Sequence, residues 1–382
     1  MTIQRPVQHV FFPNLNGLRV IAVMLVIICH LEEVCSGMGL TGFLTNFVLV
    51  GQLGVTLFFV LSGFLITYLL LVEKENLGEI NFGAFYLRRA MRIWPLYYVV
   101  VIMSLFIMPY INFFYVPTLT PIVQDHLSEK ALLYGIMLPN VVKEIFPVVP
   151  YLAQTWSIGV EEQFYIIWPL VVSFSRNYLR NFIIVALMVY VVGQLSWALT
   201  TPKRHILPIN EVTNFIKNFL FFFRIQCMAI GGIFALVLFQ KWDWVIRLIT
   251  MRSVQILVWT TLSIMIWRGI NPPYIAHELY SVLFGVLILN LALQESSVVN
   301  LENKFLDYLG RISYGLYMLH AIAIITSIRV VVLLPKMNGY AIHLIIYVIT
   351  IMVSVMLAAA SYHFLEKPFL NLKKKFTRVH SG

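Results

Sequence analysis

Arg19 and His30 close the two ends of the stretch RVIAVMLVIICH, whose intervening residues are all apolar or small. An imidazole can take a proton from a hydroxyl or accept an acyl group, and a guanidinium holds phosphate through paired N–H donors. On a helix, eleven positions make about three turns, so both side chains share a face roughly 16 Å apart along the axis. In TWSIGVEEQFYIIWP, Glu161 and Glu162 lie about one turn into an apolar run. A carboxylate beside an imidazole orients it and raises its basicity, so one of the two acids is expected to face His30. The other is expected to meet water or cap the helix start. In FYLRRAMRIWPLYY, Arg88 and Arg92 are four positions apart and Arg89 and Arg92 three, a fork suited to phosphate. YLGRISYGLYMLH strings Ser313, Tyr317 and His320 along one helix face above Arg311. Each cluster also has a plainer reading. Arg19 can snorkel to lipid headgroups, His30 can satisfy a helix–helix bond, the arginines can anchor anionic lipid, and the acids can sit on a helix N-terminus.

The elements that must hold these groups are helices in a membrane. The chain has 382 residues, 60% of them hydrophobic and 12% charged, with mean hydropathy +0.85. A soluble domain averages about 45–50% apolar and about 25% charged. The composition therefore predicts an all-α, polytopic integral membrane bundle. About ten apolar runs are long enough to be considered as spans: 17–35, 51–72, 93–110, 156–175, 181–199, 217–239, 254–268, 277–294, 312–334 and 341–364. The run at 254–268 is short and that at 156–175 carries the acids. No cleavable signal peptide is expected, because the first run lacks a small-residue cleavage pattern and many others follow. The net charge of +10 reads as the inside bias of a membrane protein and gives no argument for nucleic acid. With the N-terminus inside, Arg5, Lys74, Arg88, Arg89, Arg92, Arg176, Arg180, Lys241, Arg247, Arg252, Lys304, Arg311, Lys367, Lys373, Lys374, Lys375 and Arg378 are cytoplasmic. Lys130, Lys143, Lys203, Arg204, Lys217, Arg268 and Lys336 fall outside. That inequality predicts both termini in the cytoplasm and the Pro-rich loop 111–150 outside.

Cys29, Cys35 and Cys227 form no redox or metal motif, and no metal site is expected. No linker or internal repeat is visible, so residues 1–382 read as one membrane domain with a short basic cytoplasmic tail, 370–382.

LNGLRVIAVMLVIICH, GVTLFFVLSGFLI, FYLRRAMRIWPLYY, WSIGVEEQFYIIWP, LGRISYGLYMLH and EKPF occur in this order from about residue 14 to about 369. Together they resemble the membrane acyltransferase-3 family, integral-membrane O-acyltransferases that modify extracytoplasmic glycans. The resemblance implies a donor, acetyl-CoA or another acyl-CoA, on the cytoplasmic side, with no permanently bound cofactor. It implies a hydroxyl acceptor on a sugar, polysaccharide or glycolipid across a bacterial cytoplasmic membrane. Arg19 and His30 match the family's paired motif, Arg88, Arg89 and Arg92 its arginine-rich motif, and Glu161 the acid of its Trp-Ser-x-x-Val-Glu pattern. In that setting His30, Arg19 and Glu161 are the expected catalytic residues, and Arg88, Arg89 and Arg92 the donor-binding ones. Glu162, Ser313, Tyr317 and His320 are expected supports. Asn16 and Thr56 depart from residues frequent in the family, and the SGNH-type esterase domain fused to some relatives is not expected behind the tail. The competing reading is a transporter or exporter of a glycan or lipid-linked intermediate, where intramembrane His and Glu are equally expected. Transporters often carry inverted repeats, and none is visible here.

Overall fold

A computed structural model describes residues 9–40, 42–44, 46–200, 211–293, 297–334, 338–373 and 380–381. Arg5, Lys203, Arg204, Lys336, Lys374, Lys375, Arg378 and most of the basic tail lie outside the described residues. Among the described residues, the regular structure is helical apart from a two-residue parallel pairing of His9–Val10 with His380–Ser381.

The chain runs through α1 (Leu15–Gly37), α2 (Phe47–Leu77) and α3 (Phe82–Ile102), which continues as a π turn and a 3-10 turn to Tyr110. The segment expected as an outside loop then folds into three short helices, α4 (Thr120–Val123), α5 (Leu127–Gly135) and α6 (Pro139–Ile145). Next come α7 (Trp156–Phe174), α8 (Tyr178–Thr200), α9 (Glu211–Phe222), α10 (Ile225–Phe239), α11 (Asp243–Thr250), α12 (Arg252–Arg268) and α13 (Ala276–Ala292). The last are α14 (Lys304–Arg311), α15 (Ser313–Val331), α16 (Gly339–Ser361) and α17 (Lys367–Lys373). Local sequence sets several of these ends. Asn81 Oδ1 accepts from the Ala84 amide at 2.8 Å and opens α3, and Asn303 does the same for α14. Gly78 and Gly269, at φ 79° and 64°, stop α2 and α12 in the left-handed conformation.

Each of the ten apolar runs is mostly helical, that at 217–239 being split between α9 and α10. Among the described residues, six helices are long and apolar enough to cross a membrane, or seven if α11 and α12, bent by 63°, count as one span. The expected count of about ten is thus not reproduced by length and apolarity. Glu161, Glu162 and Gln163 lower the hydropathy of α7, α13 has only 17 residues, and α1 carries Arg19, His30, Glu32 and Glu33. The polar residues that make these helices interesting also weaken their signature as spans. The chain is an integral membrane protein.

One hydrophobic cluster joins residues from Leu15 to Ala358. Its centre is α2, packed between α1 and α10. At Gly63 an added methyl group would overlap the Met228 backbone, and at Gly231 the Val60 carbonyl. The two helices therefore approach at backbone distance, the small-residue mode available where apolar burial gives no drive to associate in lipid. By contrast α8 leaves Ile184, Leu187, Met188, Val191 and Leu195 exposed. At i, i+3, i+4, i+7 spacing they form a face for lipid acyl chains.

Candidate functional site

The sequence places cations at the ends of α1 and α3, and the fold brings these ends to one cavity. It is open-mouthed and is walled by α1, α2, α3, α7 and α15. Arg19, Arg89, Arg92, Glu161, Ser313 and Tyr317 all line it. Arg19 Nη1 donates to Asn16 Oδ1 at 2.6 Å, and Asn16 Nδ2 donates to Asp307 Oδ1 at 2.6 Å. Asp307 in turn pairs with Arg311 at 3.0 Å. This string fixes the Arg19 guanidinium while leaving most of its donors uncommitted. The guanidinium of Arg89 lies 5.8 Å from the ring centres of both Phe85 and Tyr165. Such contacts hold its orientation without consuming its N–H groups.

Arg88 departs from the expected fork. Its Nη2 donates to Glu73 Oε2 at 2.8 Å in a buried pair, and it does not line the cavity. The same carboxylate accepts from the Asn81 amide at 3.1 Å, so the pair joins the end of α2 to the start of α3. The i, i+4 spacing of Arg88 and Arg92 predicts a shared face. Helix rotation gives Arg88 to α2 and leaves Arg89 and Arg92 to the cavity.

Glu161 accepts hydrogen bonds from the hydroxyls of Ser62 and Tyr165. It acts electrostatically on Arg19 and Arg89 and is not hydrogen-bonded to His30. The expected Glu161–His30 pair is therefore replaced by a Glu161–Ser62–Tyr165 group in the cavity wall. Glu162 does not cap α7, whose first turn holds no acid. Its Oε1 is buried without a hydrogen-bond partner among the described residues.

His30 lies away from the cavity wall, farther along α1. Its Nδ1 stands 3.3 Å from Glu33 Oε2, and its ring stacks on that of His320 at 5.2 Å between centroids. The carboxylate partner thus comes from the same helix, three positions on. In that geometry Glu33 holds Nδ1–H and leaves Nε2 as the basic nitrogen. His320 is wholly buried, and its Nδ1 donates to the Tyr317 carbonyl at 2.7 Å. Its Nε2 has no partner among the described residues. Tyr317 connects the two regions. Its hydroxyl lies 2.6 Å from Ser157 Oγ, donates to the Gln154 carbonyl at 2.8 Å, and forms part of the cavity wall. Ser157 and Tyr317 thus line the cavity with the arginines, while the Tyr317 carbonyl holds His320 against His30.

Sequence reasoning missed Glu33, Ser62 and Tyr165. Two had a visible signal, Glu33 at i+3 from His30 and Tyr165 at i+4 from Glu161; Ser62 needed the packing of α2 on α7. Among the described residues, no group of three or more His, Cys, Asp or Glu side chains could hold a metal ion.

The chain is similar to several known proteins. A Staphylococcus aureus (strain COL) protein named "Putative O-acetyltransferase" is 27% identical over 94% of this chain and 57% of its own length. The "Putative peptidoglycan O-acetyltransferase" YrhL of Bacillus subtilis (strain 168) is 28% identical over 94% of this chain and 55% of its own. The "Peptidoglycan O-acetyltransferase" OatA of Listeria monocytogenes is 30% identical over 49% of this chain and 28% of its own. The chain thus spans little more than half the length of these two full-length matches. No solved structure matches it significantly. The profile of one family, described as an acyltransferase domain, covers residues 12–361, and the chain belongs to that family.

Proposed function

We propose that this protein is a membrane O-acyltransferase that moves an acyl group, acetyl first, from acyl-CoA to a hydroxyl of a sugar, polysaccharide or glycolipid. The donor binds from the cytoplasmic side, the acceptor comes from outside, and both termini are cytoplasmic in a bacterial inner membrane. Residues 1–382 act as a single membrane domain. The observation that carries this reading is the division of labour along α1. One end contributes Arg19 to a cavity with Arg89 and Arg92, and the other presents a His30–Glu33 pair.

In this scheme Arg89 and Arg92 bind CoA phosphates, and Arg19 holds the donor nearer the thioester. Glu161 limits the cavity's positive charge and fixes Tyr165. Ser313 and Tyr317 line the way toward the acceptor, and His320 packs behind His30. His30 Nε2 removes the acceptor proton as the oxygen attacks the thioester carbonyl, and the sulfur leaves with CoA. Of the possible acceptors, peptidoglycan is the first to try, because two relatives are named for it.

The test is a titration of acetyl-CoA against the purified protein in nanodiscs, with CoA lacking its 3′-phosphate and free acetate as controls. Saturable binding is expected, weakened without the phosphate. Arg89→Gln and Arg92→Gln should each weaken it about 10- to 100-fold, since hydrogen bonds to charged groups contribute about 1.5–3 kcal/mol. Absence of binding to folded protein would remove the donor assignment and favour a transporter.

A further inference from the structure

The helix formed by α9 and α10 is interrupted at Phe223 and Arg224, where Arg224 takes φ 28° and ψ 23°. Its side chain is 1% exposed. Buried guanidinium groups are normally paired and hydrogen-bonded. Here, among the described residues, none of the three side-chain nitrogens of Arg224 has a hydrogen-bond partner. Glu278 acts on it only at longer range, and accepts from Gln226 Nε2 at 3.0 Å instead. The rings of Phe222 and Trp156, at 5.3 and 5.8 Å, contact the guanidinium. Ring contacts leave the N–H donors unused.

The fifteen-residue helix α10 starts at this point with no side-chain cap. Its first amides and the positive end of its dipole add to the same local field. Lys143 of α6 supplies a second cation. Its Nζ lies 3.7 Å from the Phe222 ring centre and 4.7 Å from that of Trp156, with Glu144 at 3.9 Å as its counter-ion. Burial pushes the Lys143 ammonium below the usual lysine range; Glu144 opposes this and Arg224 adds to it. A narrow crevice beside Lys143 is lined by Asn140, Glu144, Trp156, Phe219 and Phe222. Half-helix N-termini inside membrane bundles are known places for anionic substrate groups.

We propose that Arg224, Lys143 and the N-terminal amides of α10 bind an oxyanion, a carboxylate or phosphate, with Trp156 and Phe222 covering the apolar face of its carrier. Trp156 packs edge-on against Phe59 at 6.3 Å, and Phe59 and Ser157 both line the arginine cavity. The anion site therefore stands one aromatic layer from the donor cavity. Its assignment to the acceptor rests on the proposed acyl transfer, because Arg19, Arg89 and Arg92 serve the donor; the anion site itself does not rest on it. The acceptor is accordingly a sugar bearing a negative charge.

The experiment uses the full chain in phosphatidylcholine nanodiscs, titrated with glucuronate, glucose 1-phosphate and glucose by calorimetry, with acetyl-CoA titrated in parallel. Either or both of the charged sugars should bind saturably and glucose should not; the pair separates a carboxylate ligand from a phosphate one. Arg224→Gln should weaken anion binding about tenfold or more and Lys143→Gln several-fold, while acetyl-CoA binding stays within about twofold. Should Arg224→Gln not fold, Arg224→Lys and Lys143→Gln carry the comparison. Failure of both anions to bind, equal binding of glucose, or unchanged anion affinity in the folded variants overturns the site. A parallel loss of acetyl-CoA binding in Arg224→Gln gives the anion to the donor and overturns the acceptor assignment. Arg224-dependent anion binding in a protein that ignores acetyl-CoA keeps this site and removes the acyl-transfer reading.

Discussion

His30→Ala is expected to lower acyl transfer about 10²- to 10⁴-fold, the usual contribution of a positioned general base, in protein that still folds and still binds acetyl-CoA. The expectation rests on His30 standing away from the cavity that would hold CoA and having its own carboxylate, Glu33, at 3.3 Å. Donor binding and proton removal are therefore separable. Transfer of radiolabelled acetyl to glycan gives the rate, and the titration above gives the donor affinity. Glu33→Gln should also slow transfer, by a smaller factor, without changing donor affinity. Glu161→Gln should act on the donor side, where its contacts with Ser62 and Tyr165 lie. Full transfer activity in His30→Ala would remove it from the chemistry.

The second large effect concerns stability. Gly231→Leu should prevent α2 and α10 from seating. Even one added carbon there meets the Val60 carbonyl, and a backbone oxygen cannot rotate aside as a side chain can. Overpacking a dense core costs about 1–3 kcal/mol and sometimes more. A backbone collision at the centre of the bundle belongs at or above the upper end. Thermal unfolding in detergent, followed by size-exclusion profile, should show a large loss for Gly231→Leu and a smaller one for Gly231→Ala. Gly37→Ala is the control, because nothing lies within 4 Å of a Cβ there. Unchanged unfolding of Gly231→Leu would refute the close-approach account.

What could be read from the residues alone depended on range. Apolar runs predict helices well, and all ten coincide with helical segments. Their status as spans is less legible, since α7 spends its polarity on Glu161 and Glu162, and α11 and α12 bend between them. The cavity arginines Arg19, Arg89 and Arg92 followed from type and spacing. The pairing of Arg88 with Glu73 did not, because the partners sit on different helices and no periodicity within either one relates them. His30 and Glu33 were relatable at i, i+3 within one helix. The acid at Glu161 drew attention instead because it interrupts an apolar run. Arg224 is a single cation in an apolar run, and only the fold shows that the helix breaks there and that, among the described residues, no acid hydrogen-bonds to it.

The Arg88–Glu73 pair also bears on how fast the donor is found. With Arg88 neutralised, the cavity wall holds Arg19, Arg89 and Arg92 against Glu161, an excess of two positive charges. Low-dielectric walls focus such a field through the mouth and raise the encounter rate of a polyanion before any contact forms. Screening shortens that reach to about 10 Å at 0.1 M salt and about 3 Å at 1 M. Raising salt should therefore slow acetyl-CoA capture far more than its departure, which stopped-flow binding can separate. Glu73→Gln should make that capture steeper in salt by removing the negative charge that offsets Arg88. The ion pair that ties α2 to α3 would then also set, under the proposed function, how greedily the open end draws a polyanionic donor.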